Sequence, residues 1–359
     1  MNFTSSISRY AFINAKLRSK VASMITDEQL EVLLRSKSVE QLLHHLQHTP
    51  YEPLIEHYQS YGDIQHLEAF LFTRHVEMFK NVAKYFDATY ASYIKAMSRK
   101  AEVENLKGMI RLYFSNQIKK QNIDYRLSYL YQQRIVDEID WLKIANADSF
   151  LTVLQGLSSS LYYEPLLEFN DERIKKEGLF FLEVTLDQTW LHNLRNFVKP
   201  LSKPDRTIIT HVLDRDADLK NIINLFRYSH LYNLTNEELD KIMIKGGPLI
   251  HSPQYSAFLK SDPSKRSIDM LLEKEHKKLL ILIKENDHLP IRQQILIVEK
   301  YLFSIRKKEF HDLLRGNPFS IGIVLSYLFL EEKQDHLVRS LINGVHYDLD
   351  TSTLREFIV

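Results

Sequence analysis

Val39, Leu42, Leu43 and Leu46 form one apolar stripe at a helical period, and His48-Thr49-Pro50 closes it. The spacing predicts a short amphipathic helix. Asp63 introduces a longer stretch in which Leu67, Phe70, Leu71, Met78, Phe79 and Val82 supply enough apolar surface for two neighbours. Leu179 to Val198 is its counterpart further along. Leu219, Ile222, Ile223 and Phe226 share one side of a helix over Ala217 to Tyr228, and Val103, Leu106, Ile110 and Tyr113 do the same over Glu102 to Phe114. Thr26 with Gln29, Ser38 with Gln41, and Thr235 with Glu238 have capping-box spacing, in which a hydroxyl and a longer polar side chain satisfy the free amides of a first turn. They place helix starts near 27, 39 and 236. Breaks are expected at Asn116 to Asp124, Lys199 to Pro204, Lys245 to Pro248 and Ser261 to Ser264.

The pattern repeats. Tyr51-Glu52-Pro53-Leu54 returns as Tyr163-Glu164-Pro165-Leu166, each copy closing a short apolar helix and preceding a longer one. Downstream, Glu102, Asn105, Leu106, Met109 and Arg111 are answered at identical spacing by Asp218, Asn221, Ile222, Leu225 and Arg227. A weaker third echo follows the apolar run Ile321 to Leu330, where Glu332 and Arg339 stand. Internal periodicity of this kind signals stacked related units. We therefore expect three helical units, over 1–120, 121–245 and 246–359, fused side by side because no low-complexity linker separates them.

Composition sharpens the class. With 359 residues the chain can bury a large core unaided, and with only 9 glycines and 10 prolines it favours an all-α architecture. It has no cysteine, which removes thiol catalysis, disulfides and cysteine-ligated zinc. Forty-seven basic residues balance forty-six acidic ones with the signs mixed, so the basic stripe of a nucleic-acid partner is missing. Met1 to Arg9 has no apolar core of a signal peptide. The longest apolar segment, Phe319 to Leu330, ends at Glu331-Glu332-Lys333, well short of the roughly 20 residues that cross a bilayer.

Candidate chemistry is sparse. His44 and His48 share a helix face as zinc-binding histidines do, with His45 beside them, but Leu46 and Gln47 leave no glutamate for a metalloprotease pattern. Ser158-Ser159-Ser160 falls where the first unit has Gln47, His48 and Thr49, without the glycines of a nucleophile elbow. Gly246-Gly247-Pro248 is no phosphate cradle, because proline lacks an amide hydrogen and no Gly-Lys-Ser/Thr follows. We expect no catalytic residue, cofactor, metal or small-molecule substrate. The repeated polar set remains. Nine residues put Glu102 and Arg111 on opposite sides of a helix, so they cannot pair, and the same holds for Asp218 and Arg227. Two readings stay open: these residues tie helices together within each unit, or some of them face a protein partner along an inner wall.

In order and spacing these motifs resemble the central-stalk component of V/A-type ATPases that is called C in bacterial and archaeal rotary enzymes and d in eukaryotic ones. Tyr10-Ala11-Phe12-Ile13-Asn14-Ala15-Lys16-Leu17-Arg18 is similar to the family's N-terminal helix, and Leu42 to Tyr51 to its first-unit helix. Glu102 to Arg111 and Asp218 to Arg227 are similar to its acid-x-x-Asn-Leu-Lys helix, Ile244 to Leu249 to its Gly-Gly turn, and Tyr327-Leu328 with Glu332 and Arg339 to its last signature. Where that signature carries an asparagine two residues before the arginine, this chain has Leu337, preceded by His336.

The resemblance implies a funnel of three units with pseudo-threefold symmetry. It implies a non-catalytic rotor part, joining the shaft subunits to the membrane proteolipid ring for proton or sodium translocation, peripheral on the cytoplasmic face. The residues to carry contacts would be Glu102, Asn105, Arg111, Asp218, Asn221, Arg227, Glu332 and Arg339. The other class compatible with the pattern is a helical-repeat scaffold with different protein partners.

Overall fold

The computed structural model describes residues 3–120, 131–231, 235–262, 266, 268–272 and 276–358. Among them the architecture is all-α, with no strand and one isolated bridge between Lys245 and Gly247. By its contacts the chain divides into two compact units, Met1–Leu201 with Asn317–Val359, and Ser202–Gly316. Parts of the expected breaks, residues 121–124 and 263–264, lie outside the described residues.

The first unit begins with α1 (Phe3–Ala22), α2 (Asp27–Leu33), α3 (Val39–His45) and α4 (Pro53–Tyr61). It continues with α5 (Ile64–Ala83), α6 (Ala88–Met97) and α7 (Arg99–Tyr113), the last running into a π-turn over Phe114–Ile118. After the undescribed stretch come α8 (Trp141–Ala145), α9 (Phe150–Gly156), α10 (Tyr163–Leu166), α11 (Asp171–Glu177) and α12 (Phe180–Val198).

Local chemistry sets these bounds. Thr26 and Gln29 close a full capping box, Ser38 and Ser149 cap α3 and α9 through the amide three residues on, and Asp63 starts α5 through the amide of Gln65. Pro53 occupies the first turn of α4, where its missing N–H leaves no bond unmade, and Gly62 ends that helix at φ +67°.

The second unit is built from α13 (Lys203–Leu231), α14 (Asn236–Ile242), α15 (Pro253–Lys260), α16 (Lys277–Glu285) and α17 (Ile291–Arg315). α13 starts well before Ala217. Pro204 sits in its first turn, where proline is tolerated, so the predicted break is the helix start itself. Leu219, Ile222 and Phe226 of α13 pack against Ile268, Leu279, Ile295, Val298 and Leu302 to make this unit's core. Arg306 of α17 pairs with Asp216 of α13 at 2.8 Å, and Glu309 lies beside them with its side chain 14% exposed, 3.5 Å from His211.

The chain then re-enters the first unit through α18 (Gly322–His346) and α19 (Thr351–Ile358). α18 packs against α1, α3, α5 and α19. Val338, Leu341 and Ile342 close one core with Leu42, Leu43, Leu46, Leu54, Leu67 and Leu71. A Cβ on Gly344 would lie 1.9 Å from the Leu354 side chain, which would have to shift to make room, so the glycine lets α19 lie close on α18.

Candidate functional site

The polar residues of α7 divide by their exposure. Glu102 is fully buried, accepts the amides of Val136 and Asp137 at 2.8 Å each, and takes the hydroxyl of Tyr162 at 3.0 Å. Burial and the charge of Asp137 raise its pKa, and the three donors pull the other way. Asn105, also buried, donates to the carbonyl of Tyr131 at 2.8 Å. Both residues tie the chain beyond α7 back onto it. Arg111 instead forks onto Glu183 of α12 with two bonds of 2.7 Å, its side chain 55% exposed. One turn earlier, Lys107 reaches Asp187 at 2.6 Å, so two basic residues one turn apart meet two acids one turn apart.

The same plan recurs on α13. Asn221 is fully buried and holds Ile244 at two points, receiving its amide at 2.8 Å and donating to its carbonyl at 2.9 Å. Asp218 accepts the amide of Leu249 at 3.1 Å. The intervening Gly247 passes so close that a Cβ there would stand 1.9 Å from the Asp218 carboxylate and 2.8 Å from the carbonyl of Asp214. The Gly-Gly turn is therefore a close approach between backbone and carboxylate. Arg227 pairs with Glu299 of α17 and is 41% exposed.

On α18 the arrangement differs from the sequence expectation. Glu332 is half-buried and paired with Lys100. The buried acids are Glu331 and Asp335, which share Arg74 of α5, at 2.6 Å in the case of Glu331. Tyr51 donates to Asp335 at 2.8 Å, the Arg74 guanidinium lies 4.5 Å from the centre of its ring, and burial together with the Asp335 charge pushes the Tyr51 hydroxyl pKa up. Sequence reasoning missed this cluster. Its signal is two acids one turn apart, Glu331 and Asp335, set between the buried residues Tyr327, Leu328 and Val338.

Tyr162 does for Glu102 what Tyr51 does for Asp335, which corrects the repeat by one residue. The four-residue identity points to Tyr163, whereas Ser38 and Ser149 cap α3 and α9, Thr49 and Ser160 cap the following turns, and Tyr162 follows in register. One extra residue between Tyr162 and Leu166 restores the identity further on.

A cavity of about 970 Å³ opens between α5, α7 and α18. Asn105, Arg111 and Arg339 all line it, with Glu68, Thr73 and Asn343. Asn343 donates to Glu68 at 2.7 Å, and Gly108 has nothing within 4 Å of the place its Cβ would take, so the α7 wall is open there. The Nε of Arg339 is buried and has no hydrogen-bond partner among the described residues. Burial and the Arg339 charge lower the pKa of His336 on the preceding turn. The wall of this cavity carries polar and cationic groups. Among the described residues no three His, Asp or Glu side chains come together as a metal group, and no helix is long and apolar enough to cross a membrane.

Among the described residues the chain is all-α, and two of its long helices, α7 and α13, repeat an acid, an asparagine and an arginine at the same spacing. Residues 13–357 match the model of the ATP synthase (C/AC39) subunit family, and the chain belongs to that family. Curated relatives, each named as the C subunit of an A-type ATP synthase, align along almost the whole length. The Thermococcus kodakarensis protein is 19% identical over 97% of this chain and 90% of its own. That of Pyrococcus abyssi is 22% identical with the same coverage, and that of Methanocaldococcus jannaschii 20% identical over 98% and 86%. The resemblance to the C and d proteins of V/A-type ATPases, which are non-catalytic stalk components, thus holds across the chain.

Proposed function

We propose that this chain is the rotor coupling subunit of a V/A-type rotary ATPase, joining the shaft subunits to the proteolipid ring on the cytoplasmic face of the membrane. The observation that carries this reading is the family match over residues 13–357, together with the alignment of the Thermococcus kodakarensis relative over 97% of this chain and 90% of its own. The cavity lined by Asn105, Arg111 and Arg339 supports it, as a wall of the size and polarity that a helical shaft end would need.

We read the chain as three related units that hand a contact forward. The last long helix of each presents an acid to a segment of the next: Glu102 to Tyr162, Asp218 to Leu249, and Asp335 to Tyr51. The third contact returns to the first unit, as a closed set of three requires. A part of this kind makes and breaks no bond. It has to rotate with its neighbours without yielding, and close-packed helices deform little under load.

The test is a gentle detergent pull-down of the tagged protein from its native membranes, with mass spectrometry of what accompanies it. Catalytic-head, shaft and proteolipid subunits are expected together, and the protein alone is expected to hydrolyse no ATP. Recovery of unrelated proteins only would move the function to a scaffold.

A further inference from the structure

A second cavity, of about 430 Å³, opens between α1, α5 and α18. Its basic side chains converge from separate elements: Lys16 and Lys20 one turn apart on α1, Lys84 just past the end of α5, and Arg74. Arg74 is committed to Glu331 and Asp335, and Glu77, which also lines the cavity, pairs with Lys80 at 2.7 Å. The three lysines have no carboxylate partner among the described residues. Lys16 instead meets the hydroxyl of Tyr85 and lies 4.5 Å from the centre of its ring, Lys84 donates to the amide oxygen of Asn81 at 2.9 Å, and Lys20 stands 5.9 Å from the ring of Tyr327. Three ammonium groups held by neutral partners around one concavity repel one another and raise the local positive potential, and a multivalent anion relieves both.

The rim identifies the source of that anion. Phe12, Lys16 and Lys20 fall at successive turns along one line of α1. Phe12 is 65% exposed and its ring centre lies 5.7 Å from that of Tyr85, itself exposed. Aromatic rings beside lysines suit the membrane boundary, where rings enter the acyl region and ammonium groups meet phosphates. A soluble phosphate would have no use for the exposed ring.

We propose that this cavity binds the phosphate of an acidic phospholipid headgroup, held by Lys16, Lys20 and Lys84, with Phe12 and Tyr85 inserted beside it. It would give a chain with no spanning helix among its described residues a direct hold on lipid. The site needs only this protein and a membrane, so it stands or falls separately from the stalk reading.

The experiment is flotation of the purified full chain with vesicles of phosphatidylcholine alone and of phosphatidylcholine with phosphatidylglycerol, alongside calorimetric titration with pyrophosphate. Binding is expected only to the vesicles with phosphatidylglycerol. The combined Lys16→Gln, Lys20→Gln and Lys84→Gln variant should lower it about a hundredfold, roughly fivefold for each lysine near an anionic surface. Phe12→Ser, which removes no charge from an exposed position, should weaken it as well. Lys37→Gln, Lys143→Gln and Lys175→Gln together, the same loss of charge elsewhere, should change it little. Equal loss in that control, equal binding to both vesicle types, or binding of pyrophosphate without vesicles would each overturn the proposal. Should the triple variant fail to fold, unchanged binding of Phe12→Ser would overturn it instead.

Discussion

Glu102 holds two amides and a phenol with one carboxylate, and its replacement separates the kinds of bond involved. Glu102→Ala leaves buried donors without acceptors and should destabilise the first unit by about 3 kcal/mol in urea unfolding. Tyr162→Phe removes one hydrogen bond to a charged group and should cost about 1–2 kcal/mol. Arg74 carries more. Arg74→Met would strand Glu331 and Asp335 in a buried site, at a cost of about 3–5 kcal/mol, and chemical denaturation would reveal it as a lower midpoint. Near and distant partners were unequally legible. Thr26, Ser38 and Thr235 cap helices through partners three residues away, so their roles can be read from the string itself. Arg74 finds its acids more than 250 residues along the chain, and no local pattern announces such a pairing.

At the scale of elements, α13 and α17 enclose an electrostatic conflict. Burial, and then the charge of Asp216, push the pKa of Glu309 up to about 7, against the pull of Arg215 and Arg306. The folded value exceeds the unfolded one, near 4.5, so the folded state keeps a proton that the unfolded state releases between them. Stability of the second unit should therefore fall as pH rises through that window. Partial solvent screening reduces the loss to about 1–2 kcal/mol. Glu309→Gln should flatten the dependence, and thermal melts across the window would show it. Gly247→Ala tests a tighter element: the turn after α14 would have to move off Asp218 and Asp214, at a cost of about 1–3 kcal/mol. The sequence announced this turn by its two glycines, while the reason for the second one, a carboxylate pressed against it, exists only in the folded chain. Likewise Pro204 marked a boundary correctly but not its side, because proline can end one helix or open the next.

For the whole molecule, the two surface arginines distinguish stability from mechanism. Arg111 and Arg227 are 55% and 41% exposed and pair with single acids, so reversing both to glutamate should cost only about 1–2 kcal/mol and leave the protein folded. In a reconstituted ATPase the same variant is expected to loosen the link between ATP turnover and ion transport, measured as pumping per ATP hydrolysed. An unfolded variant, or unchanged coupling, would return these arginines to a purely structural role. The family was legible because the order and spacing of its motifs persist over residues 13–357. The cavity was not, because its walls come from α5, α7 and α18, which the chain brings together only at its end.

That return of α18 to the first unit has a consequence for synthesis. The core around Leu42, Leu43 and Leu67 is completed by Val338, Leu341 and Ile342, which the ribosome makes only after the whole inserted stretch from Ser202 to Gly316. Until then the early helices wait with their apolar faces uncovered, while the inserted stretch from Ser202 to Gly316 already carries its own core and can condense first. A chain stalled before α18 emerges should thus be protease-resistant in its middle and sensitive at its beginning. The helices before Ser202 would then mature after the inserted unit and be more in need of a chaperone than it is.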